Sequence, residues 1–371
     1  MTEIPEIEIP NHLLPVDGRF GSGPSRVRTT FLNDLADTGT LFMGTSHRAE
    51  GVRSVVGDIR SGLTEMYDLS EGYEVVLGVG GATAFWDAAV FGLIENRSAH
   101  FVCGEFSQKF ATSVTVAPHL DEPVVITADF GDAPIPEEVA GVDTAAFIHN
   151  ETSTGVLAPF ARRGDALVTV DGTSAAGAIA FETTSVDAYY FSPQKALGSE
   201  GGLWIALFSP FAVERIEAVA RSNRWIPPFL SLKTALDNSR NAQTYNTPAL
   251  ATLYLLARQI AHVNDSGGIG WADTVVRSAS GHLYEWAEES EFAVPFVRRT
   301  DLRSPTVVTI DLANSVSANH VAGILRANGI VDTESYRKLG RNQLRIATFP
   351  NIPIEDIEAL TASIDYVVGR L

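Results

Sequence analysis

A lysine directly after a short apolar run is the first residue of this sequence that could do chemistry. Ala188–Phe191 has the apolar and aromatic composition of a buried strand, Ser192 and Pro193 interrupt it, and Lys195 follows. An ammonium group beside a core strand loses hydration, which is costly unless the group has a task. A lone loop lysine more often extends its charge into solvent, so the case for Lys195 depends on the residues that precede it.

A glycine-rich turn upstream has the features of a phosphate site. Gly80, Gly81, Ala82 and Thr83 follow a predicted strand, Tyr73–Val79, and precede a helical pattern. Free backbone N–H groups at a helix start attract phosphate, although such glycines are often only turns. The turn lacks the GK[ST] ending of a Walker loop and the third glycine of a dinucleotide motif, which argues against hydride transfer on a Rossmann domain.

A carboxylate ends the strand before the one that leads to Lys195. Val168–Asp171 is apolar up to its aspartate, and Lys195 lies 24 residues later (195 − 171). Ligands bind at the carboxyl ends of parallel strands, yet Asp171 alone could equally cap the following segment. An aspartate and a lysine on neighbouring strand ends suit pyridoxal phosphate. The lysine forms a Schiff base with this cofactor, and the aspartate keeps its pyridine nitrogen protonated.

The elements that must position these residues alternate along the chain. Alternating strands and helices predict an α/β fold with a largely parallel sheet covered on both faces. The glycine-rich stretch 265–270 predicts a boundary between a large domain, 17–264, and a smaller α+β domain, 265–371. Residues 1–16 contain three prolines and predict an extended arm that packs with the smaller domain. Predicted strands are 73–79, 100–103, 123–127, 144–149, 166–170, 188–191, 203–208, 306–311 and 344–347, with another around Ile330; predicted helices are 84–94, 106–116, 210–223, 247–263, 271–289, 317–328 and 354–368.

Composition narrows the class of protein. The 371 residues are 45% hydrophobic and 19% charged, as in globular proteins. The formal charge of 27 − 45 = −18 argues against binding to nucleic acid or anionic membranes. A single cysteine, Cys103, excludes an intrachain disulfide and a cysteine zinc cluster, and no metal site is expected. The acidic N-terminus and the absence of a membrane-length apolar run predict a cytoplasmic protein.

Seven short motifs occur along the chain: FGSGPS (20–25), SHR (46–48), GGAT (80–83), HNET (149–152), VDGTS (170–174), SPQK (192–195) and YNTP (245–248). Their order resembles that in the class V aminotransferases, and among them the phosphoserine aminotransferase family of actinobacterial type. The similarity extends from about Pro15 to the last predicted helix. It implies a pyridoxal-phosphate-dependent transferase of fold type I, with a mainly parallel seven-stranded sheet in the large domain.

The resemblance also implies roles for individual residues around the cofactor. Lys195 holds it covalently and transfers the proton, and Asp171 pairs with its pyridinium nitrogen. Phe106 stands where the family usually stacks a tryptophan on the ring, and Thr152 contacts the phenolic oxygen. Phosphate contacts are implied for Ala82, Thr83, Ser174 and Gln194, and for Asn246 and Thr247 from the partner subunit of a homodimer with shared active sites.

The implied substrates carry two anionic ends and need two cationic pockets. Arginine suits both, because its planar guanidinium pairs with carboxylate or phosphate through two hydrogen bonds. Tyr336 replaces the more usual histidine of the family, and the longer loop 338–344 leaves Arg341 either a ligand or a solvated surface charge. The substrate residues implied are Ser22, Tyr336, Arg337 and Arg345, with His47 and Arg48 from the other subunit.

The expected reaction is transamination between glutamate and 3-phosphohydroxypyruvate, giving 2-oxoglutarate and O-phosphoserine for serine biosynthesis. One alternative is another class V aminotransferase, of the alanine–glyoxylate or serine–glyoxylate type, against which the several arginines argue. The other is a non-catalytic protein that binds pyridoxal phosphate, against which Lys195 and Asp171 together argue. Activity on the phosphorylated threonine precursor of the cofactor stays open. Cys103, His149 and His262 are expected to be structural, which argues against a cysteine desulfurase.

Overall fold

A seven-stranded sheet forms the framework of the computed structural model, which describes residues 5–371; the first four residues of the predicted arm lie outside the described part. The spatial order is β1-β9-β8-β7-β4-β2-β3. Only β9 runs antiparallel to its neighbours, so the predicted mainly parallel sheet is confirmed. The strands are β1 (Glu74–Val79), β2 (Ser98–Val102), β3 (Val124–Thr127), β4 (Thr144–Ile148), β5 (Asn150–Glu151), β6 (Val156–Leu157), β7 (Leu167–Asp171), β8 (Ala188–Phe191), β9 (Leu203–Phe208), β10 (Ala293–Pro295), β11 (Val307–Leu312) and β12 (Gln343–Ala347).

Helices cover both faces of this sheet, which explains why β7, β8 and β9 are buried along their whole length. On one face α2 and α7 pack over residues such as Leu77 and Ile205. On the other, α3 packs over Tyr190 and Phe208. The helices are α1 (Thr29–Asp37), α2 (Glu50–Met66), α3 (Gly81–Gly92), α4 (Glu105–Thr115), α5 (Pro210–Arg221), α6 (Leu232–Arg240), α7 (Leu250–Asp265), α8 (Gly268–Glu289), α9 (Ala318–Ala327) and α10 (Ile354–Val368).

A second, antiparallel sheet of β10, β11 and β12 packs with α8, α9 and α10 around a core of its own. Residues 5–16 lie against it, because the Ile9 N–H donates to Asn328 Oδ1 at 2.9 Å and the Val16 N–H donates to Asp356 Oδ1 at 2.8 Å. The buried Phe20 joins this same core. The chain therefore passes along the smaller sheet immediately before it reaches the Ser22–Gly23 turn.

Several sequence-based boundaries need correction. Pro248 was predicted in the first turn of a helix, but α7 begins at Leu250, after an extended Ala249. The strand expected around Ile330 is only a single bridge between Val331 and Arg19. Helix α6 was not predicted, since its exposed face is rich in polar residues. In residues 5–371, no helix combines the length and apolarity required to cross a membrane.

Candidate active site

Lys195 lies in the loop that joins β8 to β9, at the carboxyl end of β8. Only 7% of the residue is exposed. Its Nζ donates to Thr152 Oγ1 at 2.6 Å and lies 5.2 Å from the centroid of the Phe106 ring. A Cβ at Gly23, where φ is 134°, would lie 2.9 Å from Lys195 Cε, so a side chain there would displace the lysine. The Lys195 side chain thus lies among the Thr152 hydroxyl, the Phe106 ring and the backbone of Gly23.

Burial lowers the pKa of Lys195 to about 8, with the Arg345 charge acting in the same direction and the Asp171 carboxylate acting against both. Near pH 8 about half of the Nζ groups are neutral, whereas a lysine with the ordinary pKa is less than ~1% neutral there. Since only a neutral amine is a nucleophile or a base, the pocket prepares Lys195 for both roles.

Asp171 lies beside Lys195 because β7 and β8 pair in parallel, with Asp171 in register with Tyr190. Its Oδ1 accepts the Thr173 N–H at 2.8 Å, and the residue is 5% exposed. Burial raises the pKa of Asp171, while the Thr173 hydrogen bonds and the Lys195 charge oppose that rise. A buried carboxylate of this kind favours a cationic partner placed in the cavity.

The predicted phosphate turn forms the amino end of α3. Gly80 and Gly81 have φ values of 108° and 74°, a left-handed conformation that glycine adopts without strain. Ala82 and Thr83 follow in the first helical turn and line the cavity. The first backbone N–H groups of a helix have no partner within the helix, so this end provides an anion-binding site.

These parts surround one cavity of about 450 Å³. Within residues 5–371, four buried polar atoms on its lining residues have no hydrogen-bond partner: Ser22 Oγ, Asn150 Oδ1, Gln194 Oε1 and Arg345 Nε. Buried polar groups are normally satisfied, so this cluster indicates a polar ligand. A lysine, a buried carboxylate, a helix start and a facing aromatic ring fit pyridoxal phosphate in size and chemistry.

Arg345 provides the cation on the side of the cavity formed by the smaller sheet. It lies on β12, its NH1 donates to Thr152 O at 3.1 Å, and its guanidinium carbon is 5.4 Å from the Tyr336 ring centroid. Burial lowers the pKa of Arg345, although an arginine stays charged at neutral pH. Its unpaired Nε leaves it a donor for an anionic ligand.

Other predicted residues lie around this centre at different depths. Ser22 and Tyr336 line the cavity, whereas Ser174 lies outside its lining, bonded to Asn150 and Thr152. Arg337 is exposed in an adjoining cleft that also contacts Tyr336 and Arg345. Arg341 pairs with Asp311, with NH2 to Oδ2 at 2.5 Å, which favours the surface-charge interpretation.

The residues expected to act in the partner's site are absent from the lining of this chain's own cavity. They are His47, Arg48, Asn246 and Thr247. His47 Nδ1 and Thr247 Oγ1 are 3.2 Å apart, so the two segments that carry these residues meet on the surface. Leu41, 89% exposed, and Tyr245, 47% exposed, lie on the same two segments.

Several lining residues escaped individual prediction although they lie inside the quoted motifs. Thr173 precedes Ser174, Asn150 lies in HNET and Gly23 lies in FGSGPS. The motifs therefore identify the segments that form the cavity, but they do not show which side chain of each segment faces it. Ser192 of SPQK and the predicted turn residues Gly80 and Gly81 also line the cavity, as do four residues outside the motifs, Trp86, Ile148, Gly201 and Gly202.

Cys103 and His149 have structural environments. Cys103 is fully buried, and burial raises the pKa of its thiol well above the ordinary value. His149 Nδ1 lies 3.0 Å from Tyr189 OH among aromatic rings, and burial lowers its pKa to about 3. Neither residue lines the cavity.

Comparison with known proteins gives the class of this fold and site. Residues 74–333 match the family Aminotransferase class-V. The chain belongs to this family.

Individual relatives within the family share a more specific name, phosphoserine aminotransferase. The chain is 54% identical over 370 residues to the phosphoserine aminotransferase of Nocardioides sp., covering 98% of this chain and 99% of that protein. A crystal structure of a phosphoserine aminotransferase from Cytophaga hutchinsonii superposes with a TM-score of 0.87 at 22% identity, over 94% of this chain and 99% of the other. The phosphoserine aminotransferase of Trichomonas vaginalis, solved with pyridoxal phosphate bound, has a TM-score of 0.78 at 16% identity, with coverages of 94% and 99%.

Proposed function

We propose that this chain is a phosphoserine aminotransferase with pyridoxal phosphate as its cofactor. The observation that carries the proposal is the contact geometry of Lys195, a buried amine with a pKa of about 8 in a cavity that also contains Asp171 and Arg345. The 54% identity to a phosphoserine aminotransferase over nearly the whole chain supports the same function.

The bound cofactor supplies an electron sink that stabilises negative charge at the substrate α-carbon. Lys195 Nζ would hold the cofactor and, once released as a neutral amine, would accept the proton from the substrate α-carbon and deliver it to a carbon of the cofactor. Thr152 Oγ1, which accepts a hydrogen bond from Nζ, orients the amine. Asp171 would stabilise a positive charge on the cofactor's ring nitrogen, and the amino end of α3 together with Gln194 would hold the phosphate.

The basic residues select a substrate with two anionic ends. Arg345 is partly buried at the cavity wall and suits the α-carboxylate, with which its guanidinium could form two hydrogen bonds. Arg337 lines the adjoining cleft, which shares Tyr336 and Arg345 with the cavity, and suits the distal phosphate or carboxylate. Alanine and serine lack a distal anion, so this division favours O-phosphoserine and glutamate over the donors of the glyoxylate enzymes.

A comparison of amino donors tests this function. We expect O-phosphoserine to exceed alanine and serine by at least ~10²-fold in kcat/KM with 2-oxoglutarate as acceptor, since a site built for a polar group rejects analogues lacking it. Arg337→Gln should lower kcat/KM for phosphoserine and leave the weak alanine reaction unchanged. Comparable rates with all three donors would contradict the assignment of the substrate, although the protein would still be an aminotransferase.

We further propose that the enzyme is a homodimer whose active sites are shared between subunits. His47, Arg48, Asn246 and Thr247 lie outside the cavity of their own chain, on two segments that meet at the His47–Thr247 contact. Leu41 and Tyr245 give this surface exposed apolar area, as expected of an interface core. Two-fold symmetry would bring each such surface to the other subunit's cavity.

Subunit mixing tests the shared site. Lys195→Ala and Asn246→Ala proteins should each have very low activity, because each lacks one part of every site. When the two variants are dissociated, mixed in equal amounts and reassociated, half of the dimers are hybrids. Each hybrid has one intact site of two, so the mixture should recover about a quarter of wild-type activity. Activity equal to the mean of the two separate variants would show that each site is built from one chain.

The composition is consistent with a cytoplasmic enzyme. The single cysteine of the sequence is buried, and the strongly acidic balance suits a protein that acts on small molecules and not on nucleic acid.

A further inference from the structure

Glu151 is a fully buried carboxylate close to the active site, although it does not line the cavity. It belongs to β5 and directly precedes Thr152, the residue that contacts Lys195. Its Oε2 accepts the Ser107 N–H at 3.1 Å and the Ser107 hydroxyl at 2.9 Å. Its Oε1 accepts the Phe106 N–H at 3.3 Å, the Ser153 N–H at 3.2 Å and the Ser153 hydroxyl at 2.6 Å.

These bonds satisfy the first turn of α4. The N–H groups of Phe106 and Ser107 reach Glu151 directly, and that of Glu105 donates to Ser153 Oγ at 3.0 Å, which in turn donates to Glu151. A carboxylate at this end also interacts favourably with the helix dipole. The close approach requires glycine at position 104, because a Cβ there would lie 2.5 Å from Glu151 Cγ.

We propose that Glu151 is a positioning residue of the active site, whose carboxylate fixes α4 to the Thr152 segment and so holds the Phe106 ring over Lys195. The inference rests on the proposed function, since it takes the Phe106 ring to face the cofactor. Phe106 and Thr152 are the two groups that contact the Lys195 amine from these two segments, and Glu151 is bonded to both segments.

The hydrogen-bond pattern requires a carboxylate and not an amide. Backbone N–H donors face both oxygens, from Phe106 and Ser153 at Oε1 and from Ser107 at Oε2. A glutamine would direct its NH₂ group at one of these donors whichever way it turned, leaving at least one buried N–H without an acceptor. Glu151→Gln therefore keeps the size of the side chain almost unchanged and removes only an acceptor for these N–H groups.

The experiment measures pyridoxal phosphate binding to the cofactor-free protein by absorbance titration, so that it does not depend on turnover. We expect Glu151→Gln to raise the Kd about 10-fold to 100-fold, the effect of leaving a buried donor unpaired. In a Phe106→Ala background the same change should raise the Kd by less than about 3-fold, because the residue acts through the ring that has been removed. Glu355→Gln, at the start of α10 and exposed, is the matched control and should leave the Kd unchanged.

An equal rise of the Kd in both backgrounds, or an unchanged Kd in folded Glu151→Gln protein, would overturn the proposal. Circular dichroism of the cofactor-free variants establishes folding. If Glu151→Gln does not fold, Glu151→Asp replaces it: it keeps the charge but withdraws the carboxylate, and should show the same dependence on Phe106. Wild-type protein that bound no cofactor would refute the proposed function as well, whereas normal wild-type binding without the coupling would refute only the role of Glu151.

Discussion

Replacing Lys195 with alanine is expected to abolish transamination, with kcat reduced by at least about 10⁴-fold. This is the upper range for one general acid–base group, and Lys195 also provides the covalent attachment. Because Lys195 is buried and its contacts are with Thr152, Phe106 and Gly23, the loss should arise from chemistry and not from unfolding. Steady-state rates with O-phosphoserine and 2-oxoglutarate provide the measurement.

A matched control is Lys233→Ala on α6, which removes only an ion pair with Asp237 at the surface. We expect this variant to keep full activity, since exposed ion pairs contribute little to stability. A Lys195→Ala protein that melts at the wild-type temperature but retains more than about a tenth of the wild-type kcat would contradict the assigned role, because a general base contributes at least ~10²-fold.

Asp171→Asn is expected to have the second largest effect, lowering kcat/KM by about 10²-fold to 10⁴-fold. The estimate corresponds to about 3–5 kcal/mol, the cost of removing one member of a buried charge pair. Asparagine keeps the size of the side chain and can still accept the Thr173 N–H, so the charge is the main difference. Rates at saturating cofactor measure the effect on chemistry separately from the effect on cofactor binding.

Asp129→Asn is a suitable control, because this aspartate is exposed and lies outside the cavity lining. Its kinetics should match those of the wild type. An Asp171→Asn enzyme within about 5-fold of wild type in kcat/KM would mean that no cationic ring nitrogen lies opposite this carboxylate.

Local patterns identified the parts of the site that lie at the ends of apolar runs. Asp171 and Lys195 were found because each follows a buried strand, and the parallel pairing of β7 and β8 then brings them together. The start of α3 was found because its glycines interrupt an apolar strand. In each case chain direction alone places the residue at the correct edge of the sheet.

What escaped prediction depends on contacts between distant segments. The role of Glu151 requires α4 to approach β5, and a charged residue in the middle of HNET gives no sign that it is buried. The packing of Gly23 against Lys195 joins residues 172 positions apart (195 − 23). Arg341 could not be assigned until β11 placed Asp311 next to it.

The inward-facing member of a short polar motif was also beyond sequence reasoning. Thr173 and Ser174 are adjacent and chemically alike, but the first lines the cavity and the second is bonded to Asn150 and Thr152 behind the wall. A contact of Ser174 with the cofactor phosphate therefore stays a prediction.

The most direct test of the central claim is to identify the residue that holds the cofactor. The protein loaded with pyridoxal phosphate is reduced with borohydride, digested and analysed by mass spectrometry. We expect one modified peptide with the pyridoxyl group on Lys195, and no such peptide from the Lys195→Ala protein. Modification of another lysine with Lys195 left free would contradict the assignment of Lys195 as the cofactor-binding residue.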